Sequence, residues 1–297
     1  MNFPSFSRNL CVVGLLLLGM GAWNAHAQQA MYPNADAASS AFVQAVRADD
    51  KPALAKVLGA DWKTYIPTDN IGRDDVNAFL KGYDTKHSIT QEGGKAHLVV
   101  GVNDWILPIP IVKGGSGWHF DLAGARDEIR ARRIGNNEYL TQLAMLAYYD
   151  AQRDYASKDR DGDVVLEYAQ KLVSTPGKHD GLYWTDSSGK DPSPLGAYFQ
   201  SRAPGDDFHG YHFQVLTAQG PSAPGGAYNY IVDKRMTNGF ALVAWPSQYG
   251  QTGVMSFLVS HDGQVFEKDL GKDSASIAQK MTTFDPDSSW QEVKPEG

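Results

Sequence analysis

The sequence predicts an α+β fold: N-terminal helices with an antiparallel meander, then a long helix packed on an antiparallel sheet. Three observations carry that prediction. Apolar residues recur at helical spacing up to Tyr83. The period then shortens into apolar runs cut by Gly- and Asn-rich turns. A second helical stretch, free of proline from Arg126 to Ser157, is followed by four strand-like segments.

The chain opens with a positive residue, Arg8, and an apolar run from Leu10 to Met20. Ala25-His26-Ala27 then supplies small residues where a signal peptidase reads them. Residues 1–27 are therefore expected to be a signal peptide cleaved before Gln28, leaving a periplasmic or secreted protein. The run of about 11 residues is too short for a bilayer, which needs roughly 20. No later stretch approaches that length, so no transmembrane segment is expected after cleavage. Cys11 is the single cysteine, so the mature chain would have no disulfide and must rely on its core. With 42% hydrophobic and 11% aromatic residues it has the material for one. The formal net charge of -7, without a basic stripe, argues against a nucleic-acid partner.

Two units are expected, 28–122 and 123–297. In the first, Gln28 to Asn34 is a short lead. Ala38, Ala41, Phe42, Ala45 and Val46 form the apolar stripe of a helix over Asp36–Ala48. Pro52 opens a second helix, with Leu54, Val57 and Leu58 inward, and Gly59 closes it. Asp74–Tyr83 is a third, burying Val76, Phe79 and Leu80. Ala96–Gly101, Trp105–Val112 and Trp118–Asp121 read as strands. Pro108 and Pro110 cannot donate to a ladder, which makes the middle one an edge or irregular strand.

In the second unit the long helix has its core at Asn136–Ala156 and ends in a polar loop, Lys158–Asp163. A short helix over Val165–Val173 stops at Ser174-Thr175-Pro176-Gly177. His209–Ala218, Phe240–Pro246, Gly253–Ser260 and Gln264–Asp269 are strands. The last two are joined by an Asp262-Gly263 turn. Gln219–Ala227 is too rich in Gly and Pro to be a strand.

Asp159, Asp161 and Asp163 alternate around Gly162, with Glu167 four residues on, and carboxylates so spaced are candidate Ca²⁺ ligands. The EF-hand register fails, because Gly162 at the sixth position puts Ser157 first and Tyr168 twelfth. The other reading is an acidic, solvated turn that favours the N-terminus of the next helix. No other cofactor is expected. His209 and His212, with His179-Asp180, contain zinc-ligand types, but three residues apart on a strand they face opposite sides. Ser174, Ser193 and Ser256 lack a nucleophile elbow, and there is no phosphate-cradling loop or dinucleotide fingerprint. Tyr183, Trp184, Tyr228, Tyr230, Trp245 and Tyr249 are either core filler or a stacking surface. Lys178, His179 and Asp180 beside Tyr183 and Trp184 combine titratable groups with aromatics in a Gly-bounded loop, and form the candidate binding site.

Several runs resemble a family of exported bacterial proteins known only as a domain of unknown function. They are Gly117-Trp118-His119-Phe120-Asp121, Arg132-Arg133-Ile134-Gly135-Asn136-Asn137-Glu138 and Gly177-Lys178-His179-Asp180-Gly181-Leu182-Tyr183-Trp184. Ala223-Pro224-Gly225-Gly226 and Gly239–Pro246 belong to the same likeness, which covers nearly all of the mature chain. It implies an envelope or secreted location and brings no activity. The order of Asn137-Glu138, Ala151-Gln152, Gly210–Phe213, Ala244-Trp245-Pro246 and Thr252–Phe257 also resembles pilin-like proteins, which implies a long helix lying across an antiparallel sheet. The expected role is a non-enzymatic binding or structural component of the bacterial envelope, with an envelope protein or glycan as partner. The alternative is a periplasmic hydrolase or carbohydrate-active enzyme using the Lys178–Trp184 loop.

Overall fold

Two capped helices open the described part of the chain. Asn34 accepts the Ala37 N–H and starts α1 (Ala35–Arg47), and Asp50 does the same for α2 (Lys51–Leu58) through Ala53 N–H. The computed structural model describes residues 29–66, 68, 71–160, 162–186, 189, 191–196 and 207–294. The expected signal peptide and Asp161 of the expected calcium loop lie outside these residues.

α3 (Arg73–Thr85) begins where the Asp75 carboxylate accepts the Gly72 N–H at 2.8 Å. An antiparallel meander follows: β1 (His87–Glu92), β2 (Lys95–Val100), β3 (Trp105–Ile106), β4 (Ile111–Gly114) and β5 (Gly117–Phe120). The order is β1-β2-β4-β5, with β3 also on β2. β1 is absent from the sequence expectation because His-Ser-Ile-Thr-Gln-Glu carries a single apolar residue; the Gly93-Gly94 turn folds it onto β2. The expected Trp105–Val112 strand is two strands, with Pro108 and Pro110 in the gap between them. Phe42, Val43, Val57, Leu58, Leu98, Ile111, Trp118 and Phe120 form the first core between helices and sheet.

α4 runs from Leu122 to Tyr155, capped by Asp121, which accepts the Gly124 N–H at 2.9 Å. It begins about one turn ahead of the Arg126–Ser157 stretch expected to be helical and includes the expected core from Asn136. Leu122, Ala125 and Ile129 pack in the first core, and Met145, Tyr148, Ala151 and Tyr155 in the second. One helix thus belongs to both cores.

The second core lies between α4 and an antiparallel sheet ordered β15-β13-β12-β11-β6. Its strands are β6 (Tyr211–Leu216), β11 (Ala241–Pro246), β12 (Met255–Ser260), β13 (Val265–Asp269) and β15 (Gln291–Glu292). β7 (Ala218–Gln219), β8 (Tyr228–Asn229) and β14 (Thr283–Phe284) make a small sheet, and β9 (Ile231–Val232) with β10 (Arg235–Met236) a hairpin. A short helix, α5 (Ser274–Ala278), lies between β13 and β14. β11 is buried at every position, which explains its unbroken run Ala-Leu-Val-Ala-Trp-Pro. Polar anchors fix α4 to the sheet. Asn137 Nδ2 donates to the Thr252 carbonyl at 2.9 Å, and Glu138 accepts the N–H groups of Val254 and Met255 at 2.8 and 3.0 Å. The mixed α+β class, the N-terminal helices and the long helix on an antiparallel sheet are all present. Among the described residues no helix is long and apolar enough to cross a membrane.

The Val165–Val173 helix does not form. This stretch is irregular, because its backbone groups are claimed by other segments. Tyr168 N–H bonds the Met236 carbonyl at 2.8 Å, and Ala169 N–H bonds Gln152 Oε1 at 2.8 Å. The carbonyls of Lys171 and Leu172 accept from Leu182 and Tyr183 at 3.0 and 2.9 Å. Those last pairings bring residue 181 so close to the 173–174 backbone that a Cβ would lie 2.7 Å from Ser174 N, which only glycine avoids.

Candidate functional site

Three segments converge at the C-terminal end of α4. The first leaves the helix through Asp159, whose carboxylate accepts the N–H groups of Gly162, Asp163 and Val164 and so turns the chain, with Val164 at φ +70°. The second is the 171–184 loop. The third is the β9–β10 hairpin, tied to the first by the Tyr168–Met236 bond and by Gln170 Nε2 donating to the Lys234 carbonyl at 2.7 Å. Beneath them Gln152 is fully buried. Its amide both donates to the Ala169 carbonyl and accepts the Ala169 N–H, each at 2.8 Å, a two-point clamp on otherwise irregular chain.

The segments enclose an open cleft of about 460 Å³. Tyr155 and Tyr168 form part of its wall. Four acids (Asp163, Glu167, Asp180, Asp233) and three bases (Lys171, Lys234, Arg235) line it together. Opposite charges are interleaved. Arg235 Nε and Nη2 each lie 2.6 Å from Asp163 Oδ2, while Asp163 Oδ1 accepts the Val165 N–H at 2.9 Å. Lys171 Nζ donates to Asp180 Oδ2 at 2.7 Å, and Asp180 also accepts the Thr175 N–H and hydroxyl at 2.7 and 2.9 Å. Burial by itself would raise the Asp180 pKa, but the Lys171 and Thr175 bonds outweigh it and bring it down to about 2.

Asp233 and Lys234 differ from the rest of the lining. They are the central pair of the β9–β10 turn, closed by the Val232–Arg235 pair, and both have positive φ, +48° and +70°. A turn of that kind ordinarily takes Asn-Gly, and a lysine there is strained. Among the described residues neither the Asp233 carboxylate nor the Lys234 ammonium has a hydrogen bond or ion pair. The two free charges therefore face a cleft whose Asp163 and Asp180 carboxylates are already satisfied.

Of the five residues expected in the binding loop, only Asp180 lines this cleft. Tyr183 and Trp184 are buried in the second core and offer no face for stacking on a ligand. His179 stacks on Trp184 at 4.3 Å, and its Nδ1 is 3.1 Å from Asp191 Oδ2. Arg160, whose side chain is 4% exposed, bridges Asp154 and Asp191 at 3.3 Å each and lies 5.3 Å over the Trp184 ring. These residues form a clasp that holds His179, Trp184 and Asp191 against the end of α4. Lys178 is exposed, with its N–H on the Thr175 carbonyl.

Of the expected calcium ligands, Asp163 and Glu167 line the cleft, Asp159 is occupied with backbone N–H groups, and Asp161 lies outside the described residues. Among the described residues no three His, Cys, Asp or Glu side chains gather to hold a metal ion. His209 precedes β6 with φ +52°, whereas His212 is in the strand with its ring 5.8 Å from Trp245. Ser174 Oγ donates to the Gly181 carbonyl at 3.2 Å, and Ser256 is buried inside the sheet.

The sequence reading missed Tyr168, Lys171 and the Asp233-Lys234-Arg235 triplet. A charged triplet between Ile231-Val232 and Met236 was the available signal, but Asp-Lys is not a turn pair of known preference. A family model described as Protein of unknown function (DUF2950) matches residues 29–293. No curated protein and no solved structure matches the chain.

Proposed function

Starting from the fact that the chain belongs to the DUF2950 family, which carries no activity of its own to transfer, we propose that it is an exported, non-enzymatic binding component of the bacterial envelope. Its site is the cleft between the 159–171 segment, the 171–184 loop and the β9–β10 turn. Its ligand is a polar cell-wall fragment bearing both an amine and a carboxylate.

One observation carries this reading. The cleft interleaves acids and bases, and at its rim Asp233 and Lys234 present adjacent, opposite charges on a strained turn, unpaired among the described residues. A ligand of mixed charge satisfies both without leaving a buried charge uncompensated. The N-terminal leader and the cysteine-free remainder support an exported location.

The arrangement favours binding over hydrolysis. His179 and Asp180 have separate partners, Asp191 with Trp184 for the one and Lys171 with Thr175 for the other. Among the described residues no serine hydroxyl bonds to His179, so the nucleophile–base contact that acyl transfer requires is missing. Calorimetric titration with a soluble muropeptide tests the reading. Saturable binding that falls at least tenfold in Asp233→Lys/Lys234→Asp is the expected result. Equal binding by both proteins, or none by either, overturns it. Release of the envelope fraction with Gln28 at the protein's N-terminus tests the export step.

A further inference from the structure

Among the described residues no strand pairs with the outer edge of β1. The β1–β2 register pairs Glu92 with Lys95 across a two-residue turn and His87 with Val100. Such a turn is closed by a mutually hydrogen-bonded pair, and bonded pairs then recur at every second residue. Gly101 N–H on the Lys86 carbonyl at 2.8 Å fixes the phase. Lys86, Ser88, Thr90 and Glu92 thus bond inward to β2. His87, Ile89 and Gln91 turn their N–H and C=O groups outward, where β1 is the last strand of its sheet. Five of the six β1 residues are exposed, and Ile89 is half-buried.

Natural edges are blunted by proline, bulges or lysines. This one has none of them over its six residues. It is also complementary to itself. A two-fold axis perpendicular to the sheet pairs residues of like parity. The register that uses all three outward-facing residues is centred on Ile89. In it Ile89 meets Ile89 of the second copy, and His87 meets Gln91 in two bonded pairs. Ser88 lies opposite Thr90, and Lys86 opposite Glu92. Among the described residues Glu92 has no ion pair, and Lys86 is held only by Asp104 in a pair exposed to water at both ends. No like charges meet, and opposite charges meet twice.

We infer that β1 joins two copies of this chain edge to edge into a continuous antiparallel sheet, in the register centred on Ile89. The interface is independent of the cleft, so neither proposal depends on the other. Six main-chain bonds and one apolar contact make it small. Dimerisation is therefore reversible and concentration-dependent, in the range of weak interfaces.

Cysteine crosslinking tests the register in the Cys11→Ala chain, which contains no other cysteine. Facing residues in a bonded pair are about 5.5 Å apart at Cα, within disulfide range. Two copies of residue 91 are offset by four residues, or about 13 Å, and out of range. Under mild oxidation Ile89→Cys should form a covalent dimer, Gln91→Cys alone should not, and His87→Cys/Gln91→Cys should. Sedimentation velocity on the unsubstituted chain should give a weight-average mass that rises with concentration. Ile89→Pro removes an outward N–H, together with the half-buried isoleucine side chain, and should abolish that rise. A chain that stays monomeric at several hundred micromolar overturns the proposal. So does crosslinking that is as efficient at 91 as at 89. If Ile89→Pro fails to fold, the cysteine series still decides.

Discussion

In the first core, α1, α2 and the meander meet through side chains such as Phe42, Leu98 and Ile111, all apolar and all buried. The cleft end of the second region is held differently. There Gln152, Arg160 and Asp180 tie down chain that has no regular structure, through polar bonds that run from the buried Gln152 amide to the exposed bonds of Asp180. Apolar packing is non-directional and tolerates repacking, whereas a buried amide fixes one atom against another. The contrast suggests why the candidate site lies where it does. Directional clamps can hold a charged, irregular surface in place, which a greasy core cannot.

Removing one side chain from each region is the strongest test of that contrast. Leu98→Ala leaves a cavity at a fully buried position and should lower stability by about 3–5 kcal/mol, read as a thermal or urea midpoint. Gln152→Leu leaves both polar groups of Ala169 unpaired inside the protein and should cost about 2–3 kcal/mol. Their local consequences should differ as well. Leu98→Ala should leave ligand binding unchanged once the chain is folded. Gln152→Leu should weaken binding in the cleft and speed proteolysis of the 158–184 segment below the melting temperature. If Gln152→Leu proves neutral, the polar clamp is not what holds this end of the molecule.

The same contrast separates what the sequence reveals from what it hides. Helical stripes such as Ala38-Phe42-Ala45 and the buried run of β11 are legible because burial leaves a period. β1 is illegible because its partner, not its composition, makes it a strand. The 165–173 stretch reads as a helix and is not one, since Gln152, Met236 and the 181–183 backbone claim its polar groups. Those partners are remote in sequence. The site divides in the same way. Asp163, Glu167 and Asp180 stand out as charged candidate ligands and all line the cleft. Trp184 stands out too, but its ring is consumed by the Arg160–His179 clasp. Asp233 and Lys234 become visible only once the hairpin folds back over Gln170.

A smaller effect concerns acid. The Asp180 carboxylate has a folded pKa of about 2. An unfolded aspartate has about 3.9. A depressed carboxylate adds stability that is complete above the unfolded value and is lost as pH falls through the folded one. The contribution therefore disappears between about pH 4 and pH 2. Asp180→Asn should be less stable than the parent at pH 6, and the gap should close by pH 2 in thermal melts across that range. The Leu98→Ala deficit should persist through the same titration, since no charge is involved. A gap for Asp180→Asn that does not narrow would mean that the Lys171–Thr175 bonds to Asp180 are not what the carboxylate contributes.

The smallest expected change has the opposite sign. Lys234 sits at φ +70° with no partner for its ammonium among the described residues, so the fold gains nothing from its side chain and tolerates its strain. Glycine adopts that backbone freely, and Lys234→Gly should raise stability by roughly 0.5–1 kcal/mol. For a protein of this size that is a rise of about 1–3 °C in the melting temperature. Ligand binding should weaken at the same time, because the ammonium is the unpaired cation at the cleft rim. A gain in stability coupled to a loss in binding is what a functional strain predicts and a merely tolerated one does not. If the melting temperature rises and muropeptide binding is untouched, Lys234 is an ordinary strained turn residue, and the reading of the cleft rim as a mixed-charge binding site falls with it.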